Sequence, residues 1–226
     1  WRAGLSFDSR DAEAMPGRGL WADAFLEWAP KWMGTNKPYF RYDAVLRQYI
    51  PLSGDKLVFA YRANVQGFLG KPGFYVLSID PFLGGPGYDR EGFGGPYTIR
   101  GLMRNRVLGQ AVCYFNTELR WRFFDTHLWN QELSLGANVF FDGGRVLKEY
   151  TDVSVDAATW RIPIETGKFP EQLTKGRAEA FHFSAGAGVR LILNRNFIVS
   201  LDYGMPFDRQ DNGSLGALSF GTGFLF

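Results

Sequence analysis

The residue types that most often carry catalysis or bind metals are scarce and scattered in this sequence. Cys113 is the one cysteine, which excludes an intramolecular disulfide and a cysteine-based metal site. The two histidines, His127 and His182, lie far apart and have no neighbours at the spacing of metal ligands. We therefore expect no catalytic residue, no metal site and no cofactor, and we interpret the chain as a protein that is not an enzyme.

One set of charged residues could instead form an ion-pair site. Glu118 and Asp142 fall on the polar side of two consecutive strand-like segments, and Arg100 precedes them in a segment rich in glycine and proline. A guanidinium binds carboxylates bidentately, and such contacts strengthen where water is limited. Arg100 between the two acids would tie its segment down. The alternative is that Arg100 is solvated and the acids are ordinary polar residues of their strands.

Composition narrows the class of protein. The 25 Lys and Arg residues nearly balance the 23 Asp and Glu residues, which argues against an electrostatic nucleic-acid binder. Aromatic residues make up 17% of the chain, yet mean hydropathy is −0.17. No run of about 20 apolar residues, as a transmembrane helix needs, is present. A transmembrane β-barrel explains these values, because its strands alternate apolar residues that face lipid with polar residues that face the lumen.

Period-two alternation of apolar and polar residues recurs along the whole chain and predicts an all-β, antiparallel transmembrane barrel. Most of the alternating segments have ten or more residues, whereas strands of globular proteins average 5–6 and a tilted membrane-spanning strand needs about 9–11. About nine strands are predicted, at 3–10, 20–32, 39–51, 56–69, 110–126, 131–147, 180–193, 196–205 and 215–226.

The alternation also predicts which side chains face the lumen. In the segment 110–126, Phe115, Leu119 and Trp121 share the apolar face, and the polar residues between them share the other. The predicted inward set includes Arg62, Asn64, Asn116, Glu118, Arg120, Arg122, Asn138, Phe140, Asp142, Arg190 and Asp202.

The connections between the predicted strands alternate in length. The turns at 53–55, near 127–131 and at 194–196 are tight, whereas the segments at about 70–109 and 148–179 are long. Transmembrane barrels have short periplasmic turns and longer extracellular loops, so both long segments are predicted to be extracellular. The acidic residues of the second long loop show no metal or phosphate pattern, and we interpret it as a surface loop.

The odd strand count has a consequence for domain organisation. Bacterial single-chain barrels have even numbers of strands, and an open sheet edge cannot be exposed to lipid. We therefore expect residues 1–226 to be the C-terminal part of an outer-membrane β-barrel domain, with strands missing at the N-terminus. The alternative is that the count misses one strand.

An ordered set of short motifs resembles one protein family. The tetrapeptide Ile99-Arg100-Gly101-Leu102 resembles the Val-Arg-Gly-Phe/Tyr loop motif of the BamA/TamA superfamily (bacterial surface antigen domain). Phe7-Asp8-Ser9-Arg10 is similar to its Asp-Thr-Arg element. The segment 115–120 is similar to its Glu-Leu-Arg strand, and 139–146 is similar to its Phe-x-Asp-x-Gly-x-Val strand end. The resemblance covers nearly the whole chain, and it implies that residues 1–226 are the C-terminal part of a 16-stranded barrel.

The resemblance implies a role for the long loop. In that family the loop folds back into the barrel and its motif arginine contacts acidic residues of the inner wall. Carried over, this predicts a loop lock formed by Arg100, Gly101, Glu118 and Asp142. Leu102 departs from the usual aromatic residue, which puts a stacking role at that position in doubt.

The resemblance also implies a function at the outer membrane of a Gram-negative-type envelope. A barrel of this type would assist the insertion or translocation of other proteins and would catalyse no covalent chemistry. Its expected partners are outer-membrane lipids, client proteins and subunits of a larger complex, with no nucleic acid. The alternatives are the membrane anchor of a patatin-like lipase, and a passive pore or barrel subunit of a larger outer-membrane complex.

The last eight residues resemble the C-terminal insertion signal of outer-membrane proteins. Ser219, Gly221, Phe224 and Phe226 fill its polar, glycine, hydrophobic and terminal aromatic positions. In the resembled family the last strand also pairs weakly with the first and forms a lateral seam, which the glycines of this segment would suit. The alternative is a plain terminal strand with aromatic residues at the membrane interface.

Overall fold

The structure is a computed structural model, and it describes residues 1–73, 76–77, 93–149, 180–213 and 215–226. Within these described ranges, nine antiparallel strands form one sheet in which each strand pairs with its neighbours in sequence. This confirms the predicted fold class and strand order. The strands are β1 (Arg2–Asp8), β2 (Gly19–Ala29), β3 (Tyr39–Ser53), β4 (Leu57–Gly70), β5 (Ala111–Leu128), β6 (Gln131–Lys148), β7 (His182–Leu193), β8 (Phe197–Pro206) and β9 (Ala217–Thr222).

The central strands are far longer than those of an ordinary globular sheet. β5 and β6 have 18 residues each, and β3 has 15. At about 3.3 Å per residue, 18 residues extend about 60 Å, which is enough for a tilted strand to cross a bilayer and project beyond it. Among the described residues, no helix has the length and apolar character to cross a membrane. The helical segments there are a 3₁₀ turn (Lys31–Met33) and one short helix, α1 (Arg209–Asn212).

The two faces of the sheet reverse the pattern of a soluble protein. Arg62, Asn116 and Glu118 are buried on the concave face. On the convex face, Trp121 is 55% exposed and Val139 is 56% exposed. Apolar side chains remain outside because they face hydrocarbon, and the polar side chains pair with one another in the lumen.

Tight turns join the strands at one end of the sheet. Trp129 and Asn130 connect β5 to β6 with φ of +46° and +66°, and Asn194 and Arg195 connect β7 to β8 with φ of +49° and +59°. Positive φ at both central residues is the geometry whose twist matches that of the flanking strands. The two longest connections, which follow β4 and β6, lie at the opposite end, whereas residues 9–18 between β1 and β2 lie at the same end as the tight turns. Of the predicted loop 70–109, residues 74–75 and 78–92 lie outside the described residues, and so do residues 150–179 of the second loop.

The sheet is open, with β1 and β9 as its edge strands, which is consistent with part of a barrel. β9 ends at Thr222 and not at Phe226 as the alternation predicts. The backbone turns at Gly223, whose φ is +100°. Beyond it, the Phe224 ring lies 4.2 Å from the guanidinium carbon of Arg120. The attraction between a luminal cation and an aromatic ring accounts for this departure from the strand.

Candidate functional site

The second half of the β4–β5 connection, residues 93–109, folds into the lumen. Thr98, Ile99 and Arg100 are each at most 2% exposed. Apolar side chains of this segment pack against those of the inner wall of β5 and β6, which replaces luminal water by a small hydrophobic core. That core consists of Phe93, Ile99, Leu102, Val112, Tyr114 and Val146.

Glycine allows the loop to approach the wall closely at one position. Gly101 has a φ of +92°, and a Cβ added there would lie 2.7 Å from the carbonyl carbon of Gly204 on β8. A larger residue would therefore meet both backbone strain and a steric clash. The tight packing of two glycines places the neighbouring residue, Arg100, against the wall between β5 and β8.

Arg100 is the centre of the site. Its Nε and Nη2 donate to the two oxygens of Asp142 at 2.8 and 2.9 Å, and its Nη1 donates to Glu118. Its main-chain N–H also donates to Asp142, at 3.1 Å. The guanidinium carbon lies 3.5 Å from the centroid of the Phe140 ring. The structure thus places Arg100 in contact with both of the acids that the sequence singles out.

The charges around Arg100 balance within the described residues. Arg120 donates through Nε to the second oxygen of Glu118 at 2.7 Å, and Arg190 pairs with Asp202 at 2.9 Å. Three guanidinium groups thereby face the carboxylates of Glu118, Asp142 and Asp202, and Arg100 also lies 3.6 Å from Asp202. Burying these ions is costly, so the network is favourable only while every member keeps its partners.

Two polar residues of the inner wall bind the main chain of the loop. Arg62 donates to the Tyr97 carbonyl at 2.6 Å and to the Asn116 side chain at 2.9 Å. Asn116 donates in turn to the Thr98 carbonyl at 2.6 Å. The Thr98 residue is buried, so Asn116 satisfies an acceptor that water does not reach. The alternation places Arg62 and Asn116 inward, but it does not identify their partners in the loop.

The β8–β9 connection covers the loop from the other side. Asn212 of α1 donates to the Gly101 carbonyl at 2.8 Å, and the Met103 N–H donates to the Asp211 carbonyl at 3.1 Å. The buried Asp211 carboxylate lies 2.9 Å from Nδ1 of His182 and 3.7 Å from Nε of Arg106. The sequence patterns do not predict this clamp, because α1 is a single turn in an irregular connection far along the chain.

Leu102 is explained by packing. It is 2% exposed and belongs to the hydrophobic cluster beneath the loop, between Phe93 and the inner wall. An aliphatic side chain fills this space, and the ring that lies against Arg100 comes from Phe140 of β6 instead.

The four residues of the predicted C-terminal signal are divided between two environments. Ser219 and Gly221 lie in β9, opposite Asp202 and Ser200 of β8. Phe224 and Phe226 follow Gly223 and lie against the inner wall. Arg120 donates to the main-chain oxygen of Phe226 at 2.8 Å. Arg120 therefore connects the C-terminal segment 223–226 to the Arg100 site, because it donates to both Phe226 and Glu118.

Comparison with known proteins gives the family. The full range of residues 1–226 matches the family model described as the Omp85 superfamily domain. This chain belongs to the Omp85 superfamily. The resemblance predicted from the motifs is thereby confirmed, and the domain is an outer-membrane β-barrel domain. No curated protein sequence matches the chain.

A solved structure agrees with the Omp85 fold. The crystal structure of BamA from Haemophilus ducreyi lacking POTRA domains 1–3 superimposes with a TM-score of 0.65 at 16% sequence identity. The match covers 98% of this chain and 42% of that structure. At this identity the similarity establishes the fold, and this chain spans less than half the length of the matched BamA.

Proposed function

We propose that this Omp85-superfamily domain assists the insertion or translocation of other proteins at the outer membrane. Membership of the superfamily and the fold shared with a BamA structure support the proposal. The observation that carries it is the anchoring of residues 93–109 inside the lumen by Arg100, Glu118 and Asp142. A loop held inside the barrel by buried ion pairs would obstruct a passage through it, which argues against a passive pore.

The loop lock consists of Arg100, Gly101, Glu118 and Asp142 in this proposal. Arg100 supplies the attraction, and Gly101 supplies the close approach to β8. The lock keeps the loop in one position while clients are handled at the seam beside β9. Ser219 and Gly221 lie on that edge strand, and Phe224 and Phe226 connect its end to the inner wall.

The domain organisation and the partners follow from the same proposal. Residues 1–226 form the C-terminal part of the barrel domain, with extracellular loops at about 70–109 and 148–179. The exposed apolar residues of the convex face contact outer-membrane lipids. Client polypeptides meet the barrel at its seam, and further subunits of a larger complex bind outside the membrane.

The test is client insertion by the full-length protein reconstituted in liposomes. We expect the wild type to accelerate insertion of a client β-barrel above the rate in empty liposomes. Arg100→Ala is expected to lower that rate while the barrel still migrates as a folded, heat-modifiable species. Arg104→Ala, which removes the same charge from an exposed position in the same loop, is the control. A wild-type rate equal to that of empty liposomes would contradict the proposed function, and equal rates for both variants would contradict the lock.

A further inference from the structure

A large cavity lies at the end of the lumen that carries the tight turns. Its volume is about 790 Å³. The inner walls of β4, β5, β6 and β7 form one side, and residues 11–17, which connect β1 to β2, form the other. This volume lies within the range of about 300–1,000 Å³ that is typical of ligand sites. It is far larger than a single inorganic anion requires.

Three buried arginines that line this cavity keep hydrogen-bond donors without a partner. The side chains of Arg120, Arg122 and Arg190 are 6%, 8% and 1% exposed. Among the described residues, Nη1 of Arg120, Nη1 of Arg122 and Nε of Arg190 have no hydrogen-bond acceptor. Buried donors are normally satisfied, and a guanidinium group forks to oxyanions better than to any other acceptor. The cluster therefore points to an anionic ligand.

Basic side chains outnumber acidic ones in the lining of the cavity. Five basic residues line it, namely Lys56, Arg120, Arg122, Arg190 and Arg195, against the three acids Asp11, Glu13 and Asp55. Two of the acids are already engaged. Asp11 accepts from the main-chain N–H groups of Gly17 and Arg18 at 2.9 and 3.2 Å, and Asp55 accepts from Arg122. Carboxylates outside the lining also pair with the basic residues, Glu118 with Arg120 and Asp202 with Arg190. The site therefore offers unpartnered guanidinium donors to a ligand, and these donors attract it without a net positive charge.

Most of the remaining lining is apolar, and one residue of the C-terminal segment, Phe224, is part of it. Val58, Ile192 and Phe224 contribute to the wall of the cavity. The Phe224 ring lies 4.2 Å from the guanidinium carbon of Arg120 and 5.6 Å from that of Arg190. Arg120 also donates to the main-chain oxygen of Phe226 at 2.8 Å. These arginines therefore bind the aromatic rings and main chain of one segment of this chain, and the cavity extends beyond it.

We propose that this cavity binds a short segment of another polypeptide that carries acidic and apolar side chains. Its carboxylate would be held by Arg120, Arg122 and Arg190, and its apolar side chains would lie against Val58, Ile192 and Phe224. A phosphate group would satisfy the hydrogen-bond donors of the arginines but would leave the apolar wall uncovered. A peptide with acidic and apolar side chains would contact both, so it fits the cavity better than phosphate does. The inference rests on the proposed function, since it names the chemistry of the client segment that enters the lumen.

The test is fluorescence anisotropy with the full-length protein in nanodiscs and a labelled hexapeptide. The probe has the sequence Leu-Asp-Phe-Glu-Val-Phe and an amidated C-terminus, so its carboxylates are side chains. Its partner probe has Asn and Gln in place of Asp and Glu. We expect the acidic probe to bind about tenfold more tightly than the neutral one, as fits one lost charge-assisted hydrogen bond. Arg122→Gln is expected to abolish that difference.

Matched variants separate binding from folding. Arg18→Gln removes the same charge at an exposed position outside the cavity and is expected to bind the acidic probe like the wild type. Arg122→Lys retains the charge and is expected to recover part of the affinity. Equal affinities for the two probes, or equal losses in Arg122→Gln and Arg18→Gln, would overturn the proposal. Binding of phosphate or of phosphate-headgroup vesicles in place of the peptide would also overturn it.

The client-insertion assay distinguishes the two proposals. Insertion by a protein that binds neither probe would refute the cavity site and leave the proposed function standing. Arginine-dependent binding of the acidic probe by a protein that inserts no client would refute the proposed function alone.

Discussion

Truncation of Arg100 to alanine tests the energetics of the buried site directly. The side chain is 1% exposed, and both of its carboxylate partners, Glu118 and Asp142, are fully buried. Removing one member of a buried ion pair typically costs about 3–5 kcal/mol, because the remaining charge loses its compensation. For the docking of residues 93–109, this corresponds to a shift in the equilibrium of roughly a hundredfold to several-thousandfold. The strand ladders are expected to persist, since Arg100 lies in no strand.

Hydrogen exchange of the loop amides measures this equilibrium. The N–H groups of Met103 and Val107 donate to Asp211 and Phe93 in the docked loop, at 3.1 and 3.0 Å, so undocking would expose them. In the full-length protein in nanodiscs, we expect their exchange in Arg100→Ala to accelerate by the factor given above. Amides of β5 and β6 are expected to keep their protection.

Two comparisons make the measurement decisive. Arg104→Ala removes an exposed arginine from the same loop and is expected to change exchange little. In a background with both Glu118→Gln and Asp142→Asn, Arg100→Ala is expected to cost less, because no buried carboxylates remain without a cation. Equal exchange of the Met103 amide in Arg100→Ala and Arg104→Ala would refute the role of these ion pairs.

Three further outcomes are expected. Gly101→Ala should make the free energy of loop docking less favourable by about 1–3 kcal/mol, because alanine is strained at the positive φ and its Cβ clashes with the Gly204 backbone. Hydrogen exchange of the loop amides measures this, and protection equal to that of the wild type would contradict it. Asn212→Ala should make the free energy of loop docking less favourable by about 0.5–1.5 kcal/mol, because it removes the hydrogen bond to the Gly101 carbonyl. Hydrogen exchange of the Met103 amide measures this, and an unchanged rate would contradict it. The hydrogen bond from Arg122 holds the pKa of Asp55, in the β3–β4 turn, below its usual value of 3.8. The contribution of this carboxylate to folding stability is therefore present above pH 3.8 and is lost as the pH falls through the pKa of the folded state. Carboxyl NMR titration should show that Arg122→Gln raises the Asp55 pKa towards 3.8, and an unmoved titration would show that Arg122 is not the cause.

The strands were predictable because each one is determined by its own alternation. β5 is an example: Leu119 and Trp121 point outward, and Asn116, Glu118 and Arg120 point inward. Period-two patterning sets the face of every residue once a segment is extended, and a long strand repeats the signal many times. The same rule placed Phe140 and Asp202 in the lumen, although it could not identify their contacts with Arg100.

At the end of β9, the alternation predicts a conformation that the structure does not have. Phe224 and Phe226 continue the apolar pattern, so the sequence predicts a strand that extends to residue 226. In the structure the backbone turns at Gly223, and both rings lie near Arg120, at 4.2 and 4.9 Å from its guanidinium carbon. A contact with a cation on a distant strand outweighs the local pattern, and local patterns carry no information about that strand.

By itself, the sequence determined the all-β class, the strand positions, the inward and outward faces, and the candidate group of Arg100, Glu118 and Asp142. These properties depend on neighbours two residues apart or on a short motif. Only the tertiary structure decided the depth and orientation of the loop, the clamp formed by Asp211 and Asn212, and the cavity beside Arg122. Those features arise from side chains that converge across the lumen from strands and loops far apart in the chain. Their pairing depends on sheet register and curvature, which the alternation of single strands does not encode.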